Sequence, residues 1–183
     1  LIAALHTAFS VEEGKALVRR NLRRLPEERY LPGMRKLLRR FEAWPGPSWP
    51  CPQAALCRTD PNPSNFIRVP DGLRSVDWEN SGWGDPAFEL ADLLAHPAYG
   101  PVEAERALWV AERYAELTAD PWMTTRVTAY LRVCFVYWTV RWARMLYEVP
   151  RGLDDRLVPR PQTWQDDAQR KVATYLELAS VLF

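Results

Sequence analysis

The stretch Leu56–Pro97, LCRTDPNPSNFIRVPDGLRSVDWENSGWGDPAFELADLLAHP, decides how this sequence folds. Two β-prone runs, NFIRV and LRSVDW, flank the turn signal PDG at 70–72, so we expect a hairpin. The pair Asp85-Pro86 is typical of a helix N-cap followed by proline at the first helical position. A helix with the sequence AFELADLLAHP should therefore begin there. The short run QAALC before the hairpin is predicted to form a strand.

Helical patterns fill the sequence on both sides of this stretch. Ser10 with Glu13 three residues later is a capping box, which starts the helix VEEGKALVRRNLRRL. A second helical pattern covers residues 27–44, is interrupted near Pro32-Gly33, and ends at the rigid loop WPGPSWPCP. Three more helical patterns follow: PVEAERALWVAERYAELTAD, PWMTTRVTAYLRVCFVYWTVRWARMLYEV and WQDDAQRKVATYLELASVLF. The predicted fold class is α+β and mainly α.

The bulk properties argue against several classes of protein. The chain has 183 residues and a net charge of +1, which gives no general attraction to nucleic acid or acidic membranes. Its three cysteines have no metal-like spacing, so we expect free thiols and a cytoplasmic protein. Only two histidines are present, which argues against a histidine-based zinc site. The apolar run 130–149 contains Arg132, Arg141 and Arg144, which argue against a membrane span.

Three oxygen-bearing side chains, Asp60, Asn65 and Asp77, should meet at the hairpin. Asp60 lies in the loop before the hairpin, Asn65 follows five residues later, and Asp77 is predicted to end the second strand. Phosphoryl transfer from ATP needs a group that orients or deprotonates the acceptor hydroxyl, and oxygen ligands for Mg²⁺. Protein kinases supply these groups in this order. The alternative is that these residues only make Asx turns and caps, which is the commoner role for any one of them.

The ordered motifs in RTDPNPSNFIRVPDGLRSVDWENSGWGDPAFELADLL resemble the aminoglycoside phosphotransferase and choline kinase family. Members of that family share a kinase-like fold. Their usual pattern runs His-Gly-Asp, a short loop, Asn, a hairpin to Ile-Asp-Trp-Glu, then Gly-Asp-Pro and a helix with Asp-Leu-Ala. LHTAF near the start and the helical remainder also resemble this family's C-terminal lobe. The resemblance implies the C-terminal lobe of a protein-kinase-like fold, with a small hairpin carrying the catalytic loop.

The resemblance also implies roles for individual residues of the stretch. Asp60 would be the catalytic base or would orient the acceptor hydroxyl. Asn65 and Asp77 would be the ligands of Mg²⁺ and would hold it against ATP, the co-substrate. Asp85 would cap the following helix. Glu89 lies where the family has an Asp that braces the backbone of the catalytic loop.

The sequence departs from the family pattern at several positions. Arg58-Thr59 replaces His-Gly. That His usually packs and hydrogen-bonds to hold the loop, so Arg58 is expected to support the catalytic loop in another way. Asn62 stands where His is common, Ser64 stands where Gly is common, and Glu89 is one methylene longer than Asp. None of these changes removes a group needed for phosphoryl transfer.

The resemblance places the acceptor between the catalytic loop and the C-terminal helices. Trp138 and Trp142 lie four residues apart and share one helix face. An aromatic box with nearby acids would suit a cationic acceptor such as choline or an amino sugar. The alternative is core packing for the aromatic residues and a solvated surface for the acids. The candidates are Trp83, Trp138, Trp142, Asp154 and Asp155, with Tyr137, Glu148, Trp164, Asp166 and Asp167 as further ones.

The Gly-rich phosphate cover and the strand lysine of a kinase have no counterpart in this sequence. Its three lysines all lie in helical patterns. We therefore expect the N-terminal ATP-binding lobe to be absent from this chain, and a chain that begins LIAALHTAFS to be a fragment or a processed product. The predicted organisation is one domain over 1–183, with helices at 1–44, the catalytic loop and hairpin at 54–85, and a helical subdomain at 86–183.

The predicted function is a lobe of an ATP-dependent phosphotransferase, a small-molecule kinase that transfers the γ-phosphate to a hydroxyl of an antibiotic, choline-like or sugar-like acceptor. The alternative is a non-catalytic kinase-like binding module, or a pseudokinase that lacks the upper lobe. Arginine runs at 19–24 and 35–40 are typical of a solvated helix surface, and we expect no nucleic-acid or membrane partner. The expected partners are the acceptor and the missing lobe, with Mg²⁺ as cofactor. The isolated chain is expected to be inactive.

Overall fold

The computed structural model of the protein describes residues 7–100, 102–154 and 160–183. Within these residues the chain forms six α-helices: α1 Val11–Leu22, α2 Met34–Ala43, α3 Pro86–Ala95, α4 Ala104–Thr118, α5 Met123–Glu148 and α6 Trp164–Leu182. Four short strands lie between α2 and α3: β1 Ala55–Cys57, β2 Phe66–Val69, β3 Gly72–Ser75 and β4 Gly82–Gly84. Single 3₁₀ turns cover Glu27–Arg29, Pro63–Asn65 and Val149–Arg151. The predicted fold class, α+β and mainly α, is confirmed.

The four strands form two separate antiparallel pairs. β2 and β3 make the predicted hairpin around the PDG turn. β1 pairs with β4, so that Cys57 lies opposite Gly82. This second pair joins the two ends of the segment 58–81, which contains the predicted catalytic loop and the hairpin. The chain therefore leaves the β1–β4 pair, forms the loop and the hairpin, and returns to the same pair.

Both predicted helix starts are confirmed by their capping bonds. Ser10 Oγ accepts the N–H of Glu13 at 3.2 Å, and Glu13 Oε2 accepts the N–H of Phe9 at 2.7 Å. Asp85 caps α3 by accepting the N–H of Ala87 at 2.9 Å, with a proline at the first helical position. These bonds satisfy N–H groups that have no carbonyl partner inside the helix.

One boundary of the hairpin differs from the prediction. β3 ends at Ser75, so Asp77 lies two residues beyond the strand that it was expected to end. The φ angle of Asp77 is 62°, in the left-handed region that strand residues do not adopt. The prediction that Asp77 ends the second strand is therefore wrong. Asp77 lies in the connection between β3 and β4, where an aspartate tolerates this backbone conformation better than most residues.

Contacts divide the chain into two compact units, Leu1–Gly14 with Gly46–Cys134 and Lys15–Pro45 with Phe135–Phe183. The first unit holds all four strands together with α3 and α4. Its core contains Tyr130, which is fully buried. The rings of Trp49 and Phe88 contact Tyr130 edge-on, with centroids 5.2 and 5.1 Å away. The prediction of one domain over 1–183 stays a prediction.

The second unit is built from helices. α2 packs against α6, and the ring of Phe183 at the end of α6 is contacted edge-on by Phe41 at 5.5 Å and Trp44 at 5.3 Å. Lys15 fixes the end of α2 by donating to the carbonyls of Glu42 and Trp44. Across the described parts of both units, no helix has the length and the apolar character that a bilayer crossing requires.

Candidate active site

The loop after β1 brings Asp60 and Asn65 into direct contact. Asn65 is buried, and its side-chain Nδ2 donates to Asp60 Oδ2 at 3.2 Å and to the Asp60 carbonyl at 3.4 Å. Because both bonds use the amide nitrogen, the amide oxygen of Asn65 is the side-chain atom left to bind a cation. The five-residue spacing in the sequence therefore corresponds to a real contact between the two side chains.

Local turns shape the same loop. Asp60 Oδ1 accepts the N–H of Asn62 at 3.3 Å, and Asn62 Oδ1 accepts the N–H of Ser64 at 3.1 Å. These are Asx-type contacts, the alternative role considered for Asp60. The two carboxylate oxygens are thus used differently, since Oδ1 completes the turn and Oδ2 receives the Asn65 amide.

The hairpin returns the chain to Asn65. The N–H of Val76 donates to the main-chain carbonyl of Asn65 at 2.9 Å. The next residue is Asp77, whose side chain is exposed. Within the described residues no cluster of three or more His, Cys, Asp or Glu side chains is arranged to hold a metal. A magnesium site formed by Asn65 and Asp77 would therefore depend on one amide and one carboxylate, not on a carboxylate cluster.

Arg58 and Glu89 hold the backbone of this loop in place. The main-chain N–H of Arg58 donates to Glu89 Oε1 at 2.9 Å, so this carboxylate bonds to the loop backbone. The Arg58 side chain is 4% exposed, donates from Nη1 to the Val76 carbonyl at 3.0 Å, and lies over the ring of Phe66 at 4.6 Å. Burial is the main cause that raises the pKa of the Cys57 thiol next to this loop, and the nearby charge of Glu89 raises it further.

Asp85 is fully buried at the centre of a hydrogen-bond network that the sequence analysis missed. Arg126 donates from Nε to Asp85 Oδ2 at 3.0 Å and from Nη2 to Oδ1 at 3.1 Å, and the Tyr130 hydroxyl lies 3.1 Å from Oδ2. Arg126 also pairs with Asp120 at 2.9 Å. An arginine within a mostly apolar helix is the signal that points to such a network, because a buried cation requires an acid partner.

The charges of this network shift one another's pKa values. Burial lowers the pKa of Arg126, but its hydrogen bonds and charge interactions with Asp120 and Asp85 outweigh burial, and the net shift is upward. Burial raises the pKa of Asp120, but hydrogen bonds from Arg126 and the backbone outweigh it, and the net shift is downward. Burial and the nearby charge of Asp85 raise the pKa of Tyr130. At neutral pH the network therefore contains charged Arg126 and Asp120 and an uncharged phenol.

Tyr99 is a second neighbour of the site that the sequence analysis missed. It lies in the loop after α3, is partly exposed, and contacts the ring of His96 with centroids 6.1 Å apart. Burial raises the pKa of Tyr99, the charge of Arg58 lowers it, and that of Asp60 raises it. The Tyr99 phenol therefore interacts electrostatically with Arg58 and Asp60 of the predicted catalytic loop. No sequence pattern indicates this, because a loop far along the chain brings it there.

The acceptor candidates are distributed over both units. Trp83 lies on β4 opposite Leu56 and is 39% exposed. Trp138 and Trp142 lie on the part of α5 that belongs to the second unit, and the Lys171 ammonium lies 4.7 Å from the Trp142 ring centroid. Among the candidate acids of the second unit, Glu148 pairs with Arg24 and Arg144, Asp154 pairs with Arg160, and Asp167 pairs with Arg170 and Lys171. Asp155 lies outside the described residues.

The fold is that of a kinase-like lobe. Among solved structures, the chain is similar to a choline/ethanolamine kinase family protein from Mesorhizobium loti, with a TM-score of 0.58 and 22% identity. The similarity covers 94% of this chain and 54% of the other, so the chain spans about half the length of that structure. Comparison with curated proteins finds no match.

A sequence model described as the phosphotransferase enzyme family, APH, matches residues 4–127, which is more than half of the chain. The chain belongs to this phosphotransferase enzyme family. The matched range includes the predicted catalytic loop, the hairpin and the Asp85 cap. The resemblance identified in the sequence is thereby confirmed, and family and fold together support a phosphotransferase-like function.

Proposed function

We propose that this chain forms the catalytic-loop lobe of an ATP-dependent phosphotransferase that transfers the γ-phosphoryl group to a hydroxyl of a small molecule. The observation that carries the proposal is the contact between Asn65 Nδ2 and Asp60 Oδ2 at 3.2 Å. It is supported by the bond from the Val76 N–H to the Asn65 carbonyl at 2.9 Å, which brings the residue before Asp77 to the same place. Family membership supplies the class of reaction.

In this proposal Asp60 acts on the acceptor. Its carboxylate accepts a hydrogen bond from the acceptor O–H and takes the proton as that oxygen attacks the γ-phosphorus. The bond from the acceptor oxygen to phosphorus forms while the bond from phosphorus to the departing ADP breaks. The Asx turn at Oδ1 and the Asn65 amide at Oδ2 hold the carboxylate in one orientation, which positions it for this role.

The donor set suits magnesium. The Asn65 amide oxygen and the Asp77 carboxylate are hard oxygen ligands of the kind that Mg²⁺ prefers. Asn65 would present its oxygen because its nitrogen is already bonded to Asp60. Bound there, the ion would neutralise charge on the phosphates of ATP. Both residues would contribute ligands without giving up any hydrogen bond described above.

The nucleotide and the acceptor need further groups. Since the chain spans 54% of the choline/ethanolamine kinase family structure, we assign the Gly-rich cover and the lysine to a lobe outside this chain. The acceptor class is a small hydroxylated molecule, and an aminoglycoside, choline or a sugar all fit it. The three free cysteines support a reducing compartment, so the cytoplasm is part of the proposal.

A second candidate is a kinase-like module without turnover. The observation that favours it is the pair Arg58-Thr59, which stands where this family usually has His-Gly. Under this alternative the loop keeps its shape and binds ligands, but Asp60 has no acceptor to deprotonate.

The decisive experiment is a coupled assay of ADP release by the protein that contains this chain. The acceptors screened are hydroxylated metabolites, choline, ethanolamine and aminoglycosides. Asp60→Asn, which keeps the shape and removes the base, should lower kcat by about 10²- to 10⁴-fold while ATP binding is retained. Asp71→Asn, in the exposed hairpin turn, is the matched control and should leave kcat unchanged. Wild-type turnover in Asp60→Asn would refute the assignment, and ATP binding without turnover on any acceptor would favour the second candidate.

A further inference from the structure

The two side chains that replace the family's His-Gly both bond to the segment that carries Asp77. Arg58 Nη1 donates to the carbonyl of Val76 at 3.0 Å, one residue before Asp77. Thr59 Oγ1 donates to the carbonyl of Asn80 at 2.8 Å, three residues after it. The two bonds therefore lie on either side of Asp77. A glycine at position 59 has no hydroxyl and could not make the second one.

The backbone at Thr59 shows that this contact is maintained against strain. Its φ is 59°, a left-handed conformation that is unfavourable for a β-branched residue and easy for glycine. Among the described non-glycine residues, positive φ angles occur at Thr59, Asp77 and Ala119. Two of these three lie within this one contact region. Such strain persists where the surroundings fix the residue, and it is typical of functional sites.

Arg58 is itself held firmly, so it can act as a fixed support. Its main-chain N–H is bonded to Glu89, its guanidinium lies over the Phe66 ring, and its side chain is 4% exposed. Asp77 is in the opposite situation, since its side chain is exposed and it follows the end of β3 by two residues. Without external bonds, an exposed connection of this kind would sample several conformations.

We propose that Arg58 and Thr59 form a clamp, defined by their bonds to the carbonyls of Val76 and Asn80, that fixes Asp77 relative to Asp60. Both are positioning residues that act on the metal ligand through the backbone. The effect of the clamp on activity rests on the proposed function, because fixing Asp77 affects turnover only where Asp77 binds Mg²⁺. The contacts that define the clamp do not depend on that function.

Hydrogen–deuterium exchange of the whole protein tests the clamp itself. Thr59→Gly should speed amide exchange in the peptide covering residues 77–81 by about fivefold, the factor expected for losing one hydrogen bond. Thr59→Ser keeps the hydroxyl and should restore wild-type exchange. Thr174→Ala, which removes a threonine hydroxyl bonded to the Arg170 carbonyl on α6, is the matched control and should change nothing at 77–81. Overall stability should change little in Thr59→Gly, because relief of the strain at the positive φ offsets the lost hydrogen bond.

The magnesium dependence of ADP release tests the consequence. The Mg²⁺ concentration that gives half-maximal turnover should rise about fivefold in Thr59→Gly, with the KM for the acceptor unchanged. Arg58→Met should raise it as well, and Arg58→Lys, which can still donate to the Val76 carbonyl, should recover part of the loss. A purely structural role would lower stability without separating these two constants.

The outcomes distinguish the two hypotheses. Unchanged exchange at 77–81 in Thr59→Gly overturns the clamp, even where Asp60→Asn abolishes turnover and supports the proposed function. Faster exchange with an unchanged Mg²⁺ dependence overturns the link between the clamp and the metal ligand. Absence of ADP release from the wild-type protein overturns the proposed function and that link together, while the exchange experiment still decides whether the clamp exists.

Discussion

Replacing Asp85 by asparagine should lower the free energy of unfolding by about 3 kcal/mol. The Asp85 carboxylate receives two bonds from Arg126, one from the Ala87 N–H and one from the Tyr130 hydroxyl. Asparagine has nearly the same shape, but one of its two terminal atoms is an NH₂ group that donates. In either orientation, the NH₂ group faces at least one N–H or O–H donor from which the carboxylate accepted a hydrogen bond.

The size of this loss in the free energy of unfolding follows from the orientation of the asparagine amide that keeps the most hydrogen bonds. With the amide nitrogen in the place of Oδ2, Tyr130 can donate to the Ala8 carbonyl, which lies 3.0 Å away, and accept from the new amide. Arg126 Nε then faces a donor and the buried charge of Asp85 is gone. Removing one partner of a buried ion pair costs about 3–5 kcal/mol. The remaining pair of Arg126 with Asp120 at 2.9 Å favours the lower end of that range.

Urea unfolding with linear extrapolation measures this loss. The matched control is Glu116→Gln, which removes the acid of the exposed pair Arg113–Glu116 at 2.8 Å and should cost below about 0.5 kcal/mol. The double variant Asp85→Asn/Arg126→Met should be less destabilised than the sum of the two single variants by at least about 1 kcal/mol, because each single change leaves the other group unpaired. Equal costs for Asp85→Asn and Glu116→Gln, or additive costs in the double variant, would refute the reasoning.

Two further predictions concern ionisable groups. Burial raises the pKa of the Cys57 and Cys134 thiols, whereas Cys51 is exposed. A thiol reagent at neutral pH should therefore label one cysteine per folded chain quickly, and that cysteine should be Cys51. Rapid labelling of a second thiol would contradict this prediction. Hydrogen bonds from Arg126 outweigh burial and hold the pKa of Asp120 below its usual 3.8, so its contribution to stability is present above about pH 4 and is lost as the pH falls further. The free energy of unfolding of the wild type, measured with urea, should therefore exceed that of Asp120→Asn near pH 6, and the difference should shrink near pH 3. A difference that does not change with pH would contradict this prediction.

The parts of the fold that the sequence predicted are those fixed by short-range interactions. The hairpin follows from a turn signal between two β-prone runs, and its strands form around that turn. The cap at Asp85 needs only the N–H of Ala87, two residues away. The contact of Asp60 with Asn65 spans five residues of one loop. In each case the partner lies close along the chain, so local pattern and spacing were sufficient.

The parts that the sequence did not predict depend on tertiary partners. Arg126 bonds to Asp85 from 41 residues away, and nothing in either local pattern selects that partner. The role of Arg58 required knowing that the Val76 carbonyl lies beside it, 18 residues along the chain. The left-handed backbone at Asp77 was missed because its sequence, VDW, is β-prone, and the bonds around the turn override that propensity.

The position of α3 explains how the loop tolerates a departure from its family pattern. The start of this helix carries two acids one turn apart, Asp85 and Glu89, which have different partners. Asp85 binds Arg126 on α5, and Glu89 accepts a hydrogen bond from the main-chain N–H of Arg58. The second bond is made to the backbone, so it does not depend on which side chain occupies position 58. A change from His to Arg there leaves the path of the chain toward Asp60 intact. The side chains at 58 and 59 are then free to take on new contacts, and in this protein both bond to the segment that carries Asp77.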